Sequence, residues 1–113
     1  LINPNDAKIR NLKNDEIVKV FNDRGSCLAG IKISDDVMQG IVFLPVGAWY
    51  NPADDDDTFC VHGNPNVLTD DIGCSSLSQG PSAHSTLVQI HKWEKDLPSI
   101  TIFNAPVLKK LKL

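Results

Sequence analysis

Cysteine and histidine gather in the second half of the chain as Cys60-Val61-His62, Cys74 and His84. Thiolate and imidazole are the ligands zinc prefers, but structural zinc sites use pairs spaced as Cys-x-x-Cys or His-x3-His. Neither spacing occurs here. The run Asp54-Asp55-Asp56-Asp57 offers hard oxygen donors for calcium. An EF-hand loop also needs acceptors at alternate positions, a central glycine and a closing glutamate, so the run reads as a solvated acidic loop. Serine, histidine and aspartate are numerous, yet no Gly-x-Ser-x-Gly elbow presents a nucleophile. No Gly-rich phosphate cradle or P-loop is present either.

The segment from Gly63 to Ser85 is chemically richer. It runs Gly63-Asn64-Pro65-Asn66-Val67-Leu68-Thr69, then Cys74 through Ser85 with Gln79, Gly80, Pro81, Ser82, Ala83 and His84. Amides and hydroxyls of this kind match a polar heterocycle, which needs paired donors and acceptors more than net charge. The competing reading is a self-satisfied Ω-like loop whose Asn and Ser residues cap its own turns. Charge narrows the partners. The chain carries a net charge of −3, and between Lys32 and Lys92 there are eight aspartates and no Lys or Arg. Phosphate backbones are held by cations, so this stretch is no nucleic-acid face. The basic tail Lys109-Lys110-Leu111-Lys112 reads as a solvated end.

Elements to position these groups follow from pattern. At 113 residues the chain is one domain, long enough for a core. No stretch approaches the roughly 18 apolar residues of a membrane helix, so no membrane insertion is expected. Three cysteines, Cys27, Cys60 and Cys74, leave at most one disulfide, and the core must do the stabilising. Asn3-Pro4-Asn5-Asp6 caps a short helix over Ala7 to Leu12, with Ile9 and Leu12 on its inner face. Ile17 to Asn22 alternates as a strand with apolar residues on both faces. Asn22-Asp23-Arg24-Gly25 turns the chain, with Gly25 free to take positive φ, and Cys27 to Ile33 returns. Gly40 to Val46 reads as a third strand, Thr86 to Trp93 as a fourth and Ser99 to Phe103 as a short edge strand. Gly47 to Ser85 is a long loop ordered by its own apolar anchors. Short strands with little helix point to a closed or nearly closed β barrel.

Five segments in order carry a resemblance. They are Ile2-Asn3-Pro4-x-Asp6-Ala7, Phe21-Asn22-Asp23-Arg24-Gly25, Gly47-Ala48-Trp49-Tyr50-Asn51-Pro52, Gly63 to Thr69, and Ser76 to His84. Over about residues 1 to 93 the chain resembles the molybdopterin dinucleotide-binding C-terminal domain of the dimethyl sulfoxide reductase family. The Gly-Ala-Trp-Tyr-x-Pro segment points to the branch of trimethylamine-N-oxide, dimethyl sulfoxide, biotin sulfoxide and methionine sulfoxide reductases. Residues 94–113 would then be a C-terminal tail.

The resemblance implies a mainly β fold, a double-psi β-barrel with short helices. It implies a bis(molybdopterin guanine dinucleotide) molybdenum cofactor shared with other domains of a parent reductase, which are the expected partners. It places Asn66 against the pterin, His84 at a position where relatives have a polar side chain reaching the same ligand, and Gln79, Ser82 and Ala83 in the same segment, with Trp49 packing nearby. Cys74 and Ser75 stand where that branch often has Thr and Ser. No metal ligand and no catalytic residue is expected, because the molybdenum-ligating serine of that branch lies far upstream. The chain, opening at Leu1 without an initiator methionine, is expected to be a piece of a longer bacterial oxidoreductase, inert alone. The parent is expected in the periplasm, or in the cytoplasm as for biotin sulfoxide reductase. A barrel acting independently as a binding or interaction module, without redox chemistry, is the alternative.

Overall fold

A computed structural model of the protein describes residues 1–105, 107 and 108; the basic tail from Lys109 lies outside the described residues. The fold is mainly sheet with short helical turns. In chain order, helix α1 (Pro4–Ile9) precedes strands β1 (Ile17–Phe21), β2 (Ser26–Gly30), β3 (Pro52–Ala53), β4 (Asp56–Cys60) and β5 (Gln89–Lys92). Two one-turn 3-10 helices, Pro65–Leu68 and Ala83–Ser85, lie between β4 and β5.

The strands form one mixed sheet in the order β3-β4-β2-β1-β5. β1 pairs antiparallel with both β2 and β5, while β2 and β4 run parallel through Ser26↔Phe59 and Cys27↔Cys60. β3 and β5 are its edges, so the sheet is open rather than the closed barrel expected from pattern.

Register explains why several strands are shorter than their sequences suggest. β1 offers β5 partners only from Val18↔Lys92 to Phe21↔Gln89, so Thr86 to Val88 are not part of the ladder. β2 stops at Gly30, opposite Ile17 where β1 begins. Beyond it the chain bends to bond with Ile2 on both sides, through Ile2 N–H to Lys32 O and Ser34 N–H to Ile2 O, each 3.0 Å. Gly40 to Val46 is not a strand of the sheet. Its strand-like backbone pairing is with the chain start, through the Ile2↔Val42 bridge and a reciprocal pair of bonds between Leu1 and Phe43. Positive φ at Gly40 and Gly47 turns it away at both ends, and Pro45 has no N–H to extend a ladder. Ser99 to Phe103 is a turn closed by Asn104 N–H on Thr101 O at 2.9 Å, not an edge strand.

The helix also begins earlier than Ala7. The Asn3 side chain accepts from Asn5 N–H at 3.0 Å and Pro4 takes the first helical position, where its missing N–H costs nothing. The helix ends before Asn11, whose φ is 51°. Leu12 and Ala7 are buried as the spacing required, but Ile9 points to solvent.

The core joins Ile2, Ala7, Leu12, Val18, Val20, Cys27, Ile31, Cys60, Leu68 and Ile90. β1 buries Val18 and Val20 and leaves Ile17, Lys19 and Phe21 half-exposed, so it is buried on one face rather than both. Fully burying a valine contributes about 1.5–3 kcal/mol, which makes Val18 and Val20 the strand's main hold on the core.

The long loop is not structureless. β3, β4 and both 3-10 turns lie within it. β4 escaped pattern reading because only Phe59 and Cys60 turn inward while Asp56, Asp57 and Thr58 are exposed. Its ladder is secured locally: the Tyr50 hydroxyl donates to Asp57 O, and Asp56 Oδ1 accepts from the Thr58 amide at 2.9 Å and hydroxyl at 2.6 Å. Those two bonds hold the Asp56 carboxyl below the usual carboxylate range.

Candidate functional site

The β1–β2 turn organises the loop. Asn22 uses every hydrogen-bonding capacity of its side chain. Its Oδ1 accepts from the amides of Arg24 at 2.9 Å and Gly25 at 3.3 Å. Its Nδ2 donates to Leu68 O at 2.8 Å and to Leu87 O at 3.2 Å. Leu68 closes the 3-10 turn that carries Asn66, and Leu87 follows the turn that carries His84. One amide therefore ties together two segments that are far apart in sequence. Arg24 adds Nε–H to Leu68 O at 2.9 Å and an ion pair with Asp70 at 3.1 Å.

Gly25 is needed here for closeness, not for positive φ. A Cβ at that position would lie 2.5 Å from Val67 O and 2.6 Å from Thr58 O. Positive φ falls instead at Gly63 (78°), where the chain leaves β4 for the first turn.

The residues assigned from sequence divide into two groups. Asn66 is exposed on the first turn, with its backbone amide held by Asn64 Oδ1 at 2.9 Å. His84 is exposed on the second turn. Among the described residues neither the Asn66 amide group nor the His84 ring bonds to another protein group, and both are free to face a ligand. Gln79 and Ser82 are engaged internally: Gln79 Nε2–H donates to Ser75 O at 3.2 Å, and the Ser82 hydroxyl donates to Ile72 O at 3.1 Å. Ala83 O accepts from the Thr86 hydroxyl at 2.9 Å. Trp49 is 78% exposed, on the segment leading to β3.

His84 lines a cleft of about 290 Å³ with Asp6, Arg10, Ile41 and Val88. A neighbouring cleft of about 440 Å³ is lined by Asn22, Arg24, Asp70 and Gln89, and Ser85, Leu87 and Val88 border both. The largest cavity, about 560 Å³, has none of the six assigned residues in its wall. Its lining is mostly apolar, with His62 the one ionisable side chain, so it cannot match the donors and acceptors of a pterin.

Sequence reasoning overlooked Asn22, Arg24 and Arg10. The motif Phe21 to Gly25 was visible, but its turn chemistry hid its use as an anchor. Both arginines come from outside the cation-free stretch, and both are already occupied. Arg10 bonds to Asp6 O at 3.2 Å and lies 3.6 Å from its carboxylate.

The cysteine and histidine residues do not converge. Cys60 and Cys27 are buried side by side, and burial, aided by Cys60, pushes the Cys27 thiol up to about 12. His62 faces Asn51 and Thr101 instead. Among the described residues no three His, Cys, Asp or Glu side chains are grouped to hold a metal ion.

The sequence profile of the molydopterin dinucleotide binding domain matches residues 1–87. The chain belongs to that family. It is also similar to whole reductases. A trimethylamine-N-oxide reductase of Salmonella typhimurium is 49% identical over 108 residues, covering 94% of this chain and 13% of the relative. Trimethylamine-N-oxide reductase 1 of Escherichia coli O157:H7 is 46% identical over the same shares. The trimethylamine-N-oxide reductase of Vibrio cholerae is 41% identical over 107 residues, again 94% and 13%. This molydopterin dinucleotide binding domain thus spans about an eighth of the length of those relatives. Both 3-10 turns and the Asn22 anchor fall inside the matched residues. Among the described residues no helix is long and apolar enough to cross a membrane.

The donor set fits a molybdopterin-type cofactor. A pterin presents amide-like donors and acceptors on a flat ring, and a neutral carboxamide and an imidazole can pair with such edges. Among the described residues Asn66 and His84 have such groups unspent, as does Gln89 in the neighbouring cleft.

Proposed function

We propose that the chain is the cofactor-binding C-terminal part of a molybdenum N-oxide or S-oxide reductase, with trimethylamine N-oxide the foremost substrate. One observation supports this most: Asn66 and His84 present unspent polar groups from two turns fixed to a common anchor, Asn22. The names of the relatives support the substrate class.

In this reading the cofactor is bis(molybdopterin guanine dinucleotide), shared with the rest of the parent reductase. Bound there, it supplies oxygen-atom removal coupled to two electrons and two protons. This chain's residues bind and orient it. Asn66 donates and accepts at the pterin edge, and His84 reaches it from the second turn. Gln79 and Ser82 hold the loop in shape, Ala83 contributes backbone, and Trp49 packs at the rim. In the parent the open sheet is completed to a double-psi barrel, and the enzyme acts in the periplasm, with the cytoplasm the second choice.

In the full-length enzyme, Asn66→Ala or His84→Ala is expected to remove a hydrogen bond of about 1–3 kcal/mol. Molybdenum and pterin content should fall, or the molybdenum potential shift, while the domain stays folded. Content, potential and turnover all unchanged in both variants would put the site elsewhere.

A further inference from the structure

We infer that the outward face of residues 38–46 is the surface on which the remainder of the parent reductase packs; this rests on the reading of the chain as one part of such an enzyme. Met38, Ile41, Phe43 and Val46 are 78%, 55%, 55% and 82% exposed, four large apolar side chains within nine residues. Their exposure is not that of a loose loop. The Asn3 side chain donates to Val37 O at 2.8 Å, and the buried Asp6 carboxylate accepts from Gly40 N–H at 2.6 Å. Leu1 and Phe43 bond reciprocally, at 2.7 and 3.1 Å. Val42 and Leu44 pack against the core, so alternation along this short extended stretch turns Ile41 and Phe43 outward. A rigid, ordered apolar face left in water is the mark of an interface.

The position of the stripe says what it would close. At one end Gly40 and Ile41 line the cleft that holds His84. At the other, Leu44 and Val46 line the largest apolar cavity. A body laid along residues 38–46 would cover both openings at once.

Three possible occupants differ in charge. In sequence Asp35 and Asp36 precede the stripe and Asp54 to Asp57 follow it, with no Lys or Arg between residues 33 and 91, and Arg10, in the cleft wall beside Ile41, is paired with Asp6. A second copy would bring the same acidic flanks against these, and an anionic bilayer would be repelled likewise. The fitting partner is apolar at its centre with lysine or arginine at its rim. About seven-eighths of the length of the matched reductases lies outside this chain, ample to provide one.

The test is hydroxyl-radical footprinting of the full-length protein, native against denatured, with molybdenum and pterin measured on the same preparation. Met38 and Phe43 should be labelled far more slowly in the native protein. Carboxyl-to-amine cross-linking should join Asp35 or Asp36 to lysines outside residues 1–113. Equal labelling in both states would overturn the inference, and in a cofactor-loaded protein it would do so while leaving the cofactor reading intact. Protection in a protein lacking molybdopterin would uphold the docking face and sink the cofactor reading. Protection that vanishes on dilution, or arises only with anionic vesicles, would assign the stripe to a second copy or a membrane and so refute it.

Discussion

The two arms of the loop between β4 and β5 are built on different terms. The first, Pro65 to Asp70, is fastened to the sheet. Leu68 is 3% exposed, its carbonyl takes bonds from Asn22 and Arg24, and Gly25 lies beneath Val67. The second, Gly73 to Leu87, is fastened mainly to itself. Cys74 N–H bonds Gly80 O at 2.8 Å, Ser75 and Ser78 bond each other, and Leu77 is 98% exposed. Asn66 therefore takes its position from the core. His84, at the far end of the second arm, takes its position chiefly from the bond between Asn22 and Leu87. Only the first is held by packing into the core, so a ligand that used both Asn66 and His84, as proposed, would depend on the less firmly held arm.

The largest expected effect separates the arms by burial. Leu68→Ala should destabilise by about 2–5 kcal/mol, because it leaves a cavity in the core. Leu77→Ala should change stability by no more than about 0.5 kcal/mol. Urea unfolding of both variants checks the contrast, and similar costs would show that the second arm is packed after all. Next is Asn22→Ala, which strips bonds from both arms at once and should cost about 1–3 kcal/mol. Hydrogen exchange in Leu68 to Thr69 and in Leu87 to Gln89 should then rise together; a rise in one arm alone would deny the shared anchor. Smallest is the exposed Arg24–Asp70 pair, where Asp70→Asn should cost about 1 kcal/mol or less, fading as salt is raised. A loss independent of salt would mean that Arg24 matters through its bond to Leu68 O, not through charge.

Much of this contrast could be read from the residues, and some could not. β1, the turn after it and β2 were legible because alternation and turn chemistry are local. The capped helix was legible for the same reason, but it lies three residues earlier, Pro4–Ile9 rather than Ala7 to Leu12, and Ile9 faces solvent. β4 was hidden because its acidic first half satisfies itself through Thr58 and Tyr50 and carries no apolar alternation. Gly40 to Val46 misled in the opposite way: branched and aromatic residues suited a strand, but two glycines and Pro45 limit its backbone pairing to Leu1 and Ile2. Of the candidate site, Asn66 and His84 could be picked out by resemblance. Their common support on Asn22 depends on contacts 46 and 65 positions away in sequence, which no spacing rule reveals.

The pairing of β1 with β5 has a kinetic meaning. Lys92 reaches Glu16 across 76 positions, at 2.6 Å, and encloses both arms of the loop between the strands it joins. β1 and β2, by contrast, meet across a single tight turn. Chain entropy makes the distant contact slow to form and the hairpin quick. Docking of β5 on β1 is therefore expected to be slower than closure of the β1–β2 hairpin. In the proposed reading, a ligand that uses both the Pro65–Leu68 and Ala83–Ser85 turns would be held fully only once β5 has docked, so its binding and that docking would be coupled.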